Sequence, residues 1–265
     1  MGCFEQGTNS IILYEPADPR LHGSVVTSAA HETLHAAWAQ LTDAEQSALT
    51  PLLTSEVAAI PAADPIHAQI AGSVGTHPDH LPTEMFAYVG TQVWRPGGLA
   101  PQLEAAYARF ITDRAALVAV YTGWNGMLER MATDIQAASQ ALATRQAENA
   151  QSQAQYAADA ASVAYYRTAY QSKAAQVAAM SAGQQARLEL SWAWWDGTKL
   201  PMAPAQVTLA RAATLLARDE AALPPREAAI QSEAAAITAE HTRVQGLVAD
   251  LQGLQNQLNP SSSAP

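Results

Sequence analysis

Ser24-Val25-Val26-Thr27-Ser28-Ala29-Ala30-His31-Glu32-Thr33-Leu34-His35-Ala36-Ala37-Trp38-Ala39-Gln40 reads as one helix. Val25, Val26, Ala29, Ala30, Leu34, Ala37, Trp38 and the following Leu41 recur at helical spacing and mark its buried side. Within it lies a single HExxH pentapeptide, His31 to His35. Residues four apart stack on one helix face, so both imidazoles can offer a nitrogen to one metal ion while Glu32 lies beside them as base. The chain has 7 His and 14 Glu in 265 residues. An accidental HExxH is then expected on the order of once per hundred such chains.

On the N-terminal side, Ile11-Ile12-Leu13-Tyr14 is a short apolar, partly β-branched run closed by Pro16 and Pro19, which predicts a strand beside the helix. On the C-terminal side, Thr42 with Glu45 forms a capping box, and Thr50-Pro51 reads as a second cap, predicting two short helices up to about Ala59. Residues 60–82 read as a polar loop carrying His67, His77, Asp79 and His80. A helix is expected over 83–93 and another from Pro101, separated by Arg95-Pro96-Gly97-Gly98.

Catalytic zinc takes three protein ligands and a water, so His31 and His35 need one more. The HExxHxxGxxH continuation is ruled out, because Trp38 and Leu41 stand at its glycine and last histidine positions. A glutamate from a later helix is the other common solution, and Glu84 in the first turn of the 83–93 helix is the best candidate. A first-turn glutamate also suits the helix dipole without any metal. His77, His80 and Asp79 remain rival ligands, and His77, His80 or Tyr88 are candidates to stabilise an oxyanion.

Beyond Gly123 the pattern changes. Leu128, Ile135, Leu142, Asn149, Tyr156, Val163, Tyr170 and Val177 recur every seven residues, with Trp124, Met131, Ala138, Tyr166 and Met180 at the companion position. Arg145, Ser152, Asp159 and Lys173 also fall on companion positions, making a polar middle. A loop over about 191–204, with Trp192, Trp194 and Trp195, reverses the chain and is expected to cap the seam. Ile230, Ile237, Val244, Leu251 and Leu258 then continue at heptad spacing after an interruption at Pro224-Pro225. Two long helices and one reversal predict an antiparallel coiled-coil hairpin over 123–258, with a Ser- and Pro-rich tail, 259–265, expected to be disordered.

Net charge is -10 and the 14 Lys and Arg form no basic patch, which argues against nucleic acid as a partner. Cys3 is the only cysteine, so neither an internal disulfide nor a thiolate zinc site is expected. No segment is apolar and long enough to span a bilayer, and Met1-Gly2-Cys3-Phe4 lacks the features of a signal peptide.

Ile11 to Tyr14, Asp18-Pro19-Arg20-Leu21-His22-Gly23, Thr27 to Trp38 and Gly90-Thr91-Gln92 together resemble a group of bacterial, largely actinobacterial, HExxH zinc metallopeptidases. The resemblance spans about residues 2–120. It implies a gluzincin-like site with His31, His35 and Glu84 as ligands and Glu32 as base. Similar proteins carry a membrane-spanning segment ahead of the Gly-Cys-aromatic element seen here as Gly2-Cys3-Phe4. This chain starts at that element. The expectation is either a soluble member or a trimmed one whose full form is membrane-associated or extracytoplasmic.

The expected fold is mainly α: a compact zincin-like helical domain over 1–122 with at most a small sheet, then the helical hairpin. The expected function is hydrolysis of peptide or protein substrates by a zinc-bound water that Glu32 activates. The hairpin would bind a protein partner or self-associate. The competing expectation is a non-enzymatic coiled-coil scaffold, or a pseudo-peptidase, whose zinc site is structural or vestigial.

Overall fold

The structure, a computed structural model, describes residues 2–5, 7–8 and 10–259. Helices hold 75% of the described residues and strands 7%, so helix faces have to supply the core. The chain divides into two units, Met1–Ile135 with Leu247–Pro265, and Gln136–Gly246. No helix among the described residues is long and apolar enough to cross a membrane.

The first unit opens with strands β1 (Gly2–Glu5) and β2 (Ser10–Leu13), paired antiparallel with Gly2 opposite Leu13 and Glu5 opposite Ser10. Both strands contact α1 (His22–Gln40), which follows a 3-10 turn at Pro19–Leu21. The buried stripe of α1 is Ser24, Thr27, Leu34, Ala37 and Trp38, while Val26 is 50% exposed. Val26 was expected inside. The stripe instead passes through Thr27, whose Oγ1 accepts the Trp124 indole N–H at 3.1 Å.

α2 (Asp43–Ala58) starts at the expected capping box, with Thr42 and Glu45 bonding reciprocally. It is one helix, and the second cap expected at Thr50-Pro51 does not form. Pro51 lies inside α2, and Leu49 and Leu53, both buried, hold the helix on the core across it. That packing outweighs a lost backbone hydrogen bond, a cost of about 3 kcal/mol. The expected loop 60–82 likewise contains α3 (Ile66–Val74), anchored by Ile66 and Ile70 one turn apart. Asp64 accepts the Ile66 N–H at 3.0 Å and starts this helix. A 3-10 turn, Pro78–His80, leads into α4 (Leu81–Gln92), and α5 (Pro101–Tyr107) follows.

Helices α1 to α5 share one core that includes Leu34, Trp38, Leu53, Ile70, Phe86 and Tyr107. Gly90 sets the approach of α1 to α4. A Cβ at that position would lie 2.5 Å from Leu34 Cδ1 and 2.7 Å from Tyr107 Cε1. Tyr107 also donates its hydroxyl to the Phe86 carbonyl at 2.8 Å. Helix α6 (Arg114–Ala178) enters this unit through its first turns. Arg114 is buried there, paired with Glu104 and donating to the Val93 carbonyl at 2.6 Å. The last turns of the chain return to the same unit: Leu254 and Leu258 pack on Leu21, and Arg20 pairs with Asp250 at 2.7 Å.

In the second unit, α6 continues to Ala178, followed by α7 (Ala182–Gln185), β3 (Glu189–Ala193), β4 (Lys199–Pro204) and α8 (Ala205–Leu258). The reversal expected as a loop is a β-hairpin with a bulge between Leu190 and Trp192 and a turn through Gly197 at φ 88°. Among the described residues there are therefore two small sheets, against the expectation of at most one. Trp194 is buried against Val163, Ala212 and Leu216, with Trp192 and Trp195 packed around them.

Two polar positions of the heptad seam, Arg145 and Asp159, are paired across the two helices, while Ser152 and Lys173 bond within their own helix. Arg145 meets Glu233 at 2.8 Å and Asp159 meets Arg226 at 2.7 Å, an antiparallel register. Pro224 and Pro225 do not interrupt α8. Both are exposed, so the carbonyls deprived of their N–H partners can turn to solvent, and the flanking Leu223 and Arg226 are held by α6 or its hairpin. Of the expected tail, Asn259 hydrogen-bonds back to Gln255 at 3.1 Å, and 260–265 lie outside the described residues.

Candidate metal centre

The i, i+4 spacing on α1 brings His31 Nε2 and His35 Nε2 to 3.2 Å. α4 supplies the third group from its first turn. Glu84 Oε2 lies 3.6 Å from His31 Nε2, and Oε1 lies 3.6 Å from His35 Nε2. Taking one ligand atom from each residue, the three lie within 4.8 Å of one another, close enough for a small side-chain adjustment to bring them to the separation of about 3.3 Å that a tetrahedral cation with bonds of about 2.0–2.1 Å requires. Among the described residues these three are the one group of His, Cys, Asp or Glu whose ligand atoms converge in this way.

Electrostatics favour a cation at the same place. Glu84 is 9% exposed, and its Oε2 is buried with no hydrogen-bond partner. An orphaned buried carboxylate oxygen is costly, and a bound cation would satisfy it. His35 Nδ1 lies 2.8 Å from Thr83 Oγ1. With the proton on Nδ1, the Thr83 contact is satisfied and the Nε2 lone pair is left for a metal. Burial, aided by the like charges of His31 and His80 and opposed by Glu84, pushes the His35 pKa down to about 4. Its imidazole is therefore neutral at neutral pH, the form that ligates.

Glu32, next to His31, is 8% exposed. Burial raises its pKa, while His31 and the Phe4 backbone N–H pull the other way. A raised carboxylate pKa brings proton acceptance closer to working pH.

The remaining candidates divide. Tyr88 lies edge-on against His31, with ring centroids 4.5 Å apart, and its hydroxyl is 2.8 Å from Ser73 Oγ. Burial raises the Tyr88 pKa. His77 and His80 are exposed and stacked on each other with centroids 5.2 Å apart. His80 Nε2 is 3.8 Å from Asp79 Oδ2. None of His77, His80 or Asp79 belongs to the convergent triangle.

Sequence reasoning missed Thr83. Its one signal was adjacency to Glu84, since a residue beside a ligand at a helix start is well placed to orient another ligand. Comparison with known proteins finds no matching family model, no similar curated protein and no similar solved structure.

Proposed function

We propose that the chain is a zinc metallopeptidase of gluzincin-like type, with His31, His35 and Glu84 as metal ligands and Glu32 as general base. The observation carrying this reading is the convergence of His31, His35 and Glu84, with the two Nε2 atoms 3.2 Å apart, each 3.6 Å from a different Glu84 oxygen, and one of those oxygens without a hydrogen-bond partner. Two imidazoles and a carboxylate are a donor set suited to zinc, and three protein ligands leave the open position of a catalytic site. In this reading the first unit is a zincin-like domain and the paired helices of the second are a coiled-coil surface for a protein partner or a second copy.

Bound zinc would polarise a substrate carbonyl and acidify a water. Glu32 would take the proton of the attacking water and return it to the leaving amine, so that peptide or protein amide bonds are the substrate class. His31 and His35 would each offer an Nε2 lone pair inward, and Thr83 fixes the ring of His35. Tyr88, in contact with His31, is better placed than His77 or His80 to donate to a developing oxyanion, provided its hydroxyl leaves Ser73.

The competing scaffold reading keeps the fold and drops the chemistry. Structural zinc sites are closed by four protein ligands, and the described residues offer three, which favours the peptidase. Protein purified without chelator should carry close to one zinc per chain. Glu32→Gln should retain that zinc and lose about 10²–10⁴-fold in zinc-dependent peptide hydrolysis. Unchanged hydrolysis in Glu32→Gln would overturn the role of Glu32.

A further inference from the structure

The N-terminal strand lies on the side chain of the base. Gly2 and Phe4 occupy the half-buried positions of β1, alternating with exposed Cys3 and Glu5, and β1 contacts α1. A Cβ built on Gly2 would fall 2.8 Å from Glu32 Cγ, 3.2 Å from Glu32 Oε1 and 2.9 Å from Leu13 Cδ2. Real Cβ atoms do not come that close, so any side chain at position 2 must push Glu32, Leu13 or the strand aside. Gly7 gives the contrast within the same hairpin, because a Cβ there would meet nothing within 4 Å.

We propose that β1 positions the base: the bare Cα of Gly2 lets the strand lie against Glu32 and holds its carboxylate beside His31. Gly2 is then a positioning residue that acts through Glu32, and this inference rests on reading Glu32 as the base. The Glu32 side chain has flexible torsions of its own and is 8% exposed. A base free to choose among rotamers would spend little time aligned with a water, whereas a wall on one side selects the working rotamer. The Phe4 backbone N–H interacts with the same carboxylate, so one strand supplies both a steric stop and a donor. Pairing of β1 with β2 keeps that wall in place.

The test uses the full chain loaded with zinc, with Gly2→Ala as the probe and Gly7→Ala as the control. Gly2→Ala should lower kcat about ten- to a hundredfold while KM and zinc per chain stay unchanged. Gly7→Ala should leave all three at the wild-type values. A second readout needs no activity: the thermal midpoint of Gly2→Ala in the wild-type and Glu32→Ala backgrounds. The substitution should lower Tm by about 2–4 °C in the wild type and by clearly less once Glu32 is truncated, because the obstacle is gone. Equal Tm shifts in the two backgrounds, or an unchanged kcat, overturn the positioning role. A wild-type chain that binds zinc but hydrolyses no peptide overturns the proposed function instead, and the two failures are thereby told apart.

Discussion

Two regions of this molecule bury polar side chains, and they treat them in opposite ways. In the second unit, Asp219 accepts the indole N–H groups of Trp194 and Trp195 at 2.7 and 2.8 Å and pairs with Arg218. Asp159 has Arg226 at 2.7 Å and Gln155 at 2.8 Å. In the α1–α4 region, two imidazole nitrogens and a carboxylate face one another, and Glu84 Oε2 has no donor. Glu56 Oε2 also lacks a hydrogen bond, yet Arg95 Nη1 stands 3.1 Å away and balances its charge. Among the described residues, Glu84 is paired with the two histidines and with no Arg or Lys. Closed networks serve the fold, whereas acceptors gathered without donors ask for a cation.

Glu84→Ala breaks that contrast most directly. Zinc affinity, measured by competition with a chelator, should fall by more than about a hundredfold, beyond the usual loss for a group one shell further out. The metal-free variant should melt no lower than the metal-free wild type, because the lost oxygen had no donor. Asp219→Ala should behave in the opposite sense. Two indole N–H groups and Arg218 lose their acceptor, so chemical denaturation should show a loss of about 2–4 kcal/mol with zinc binding unchanged.

A smaller effect is expected at Thr83. Thr83→Val keeps the shape and removes the partner of His35 Nδ1, so zinc affinity should drop about 10–100-fold in the same chelator competition. The smallest is the pH response of Asp196 in the second unit. Hydrogen bonds from Thr198 and the Arg218 guanidinium hold its pKa at about 2, below the ordinary 3.8. A depressed carboxylate contributes stability above its unfolded pKa. In acid titration of the thermal midpoint, that contribution should be complete above about pH 4 and lost as pH falls toward about 2, and absent in Asp196→Asn.

The parts legible in the sequence were those whose signal is local. HExxH, the capping box at Thr42 and Glu45, the helix presenting Glu84 and the heptads all depend on spacing within one element. What escaped notice depends on packing between elements. Pro51 looked like a helix start because its cost is local, whereas Leu49 and Leu53 offset it through the core. α3 carried the local signal Asp64-Pro65, which was hidden within a stretch rich in proline and histidine. The contacts of Leu254 and Leu258 with Leu21 join residues more than two hundred positions apart, and no periodicity reports them. The contact of Gly2 with Glu32 was equally invisible, because glycine marks a close approach only once the partner is known.

The central claim is that His31, His35 and Glu84 hold zinc, and anomalous diffraction at the zinc edge from crystals of the full chain tests it most directly. The account predicts one strong peak about 2.0–2.2 Å from His31 Nε2, His35 Nε2 and a Glu84 carboxylate oxygen. No peak at that position in zinc-loaded crystals, or a peak ligated by His77 and His80 instead, would contradict it.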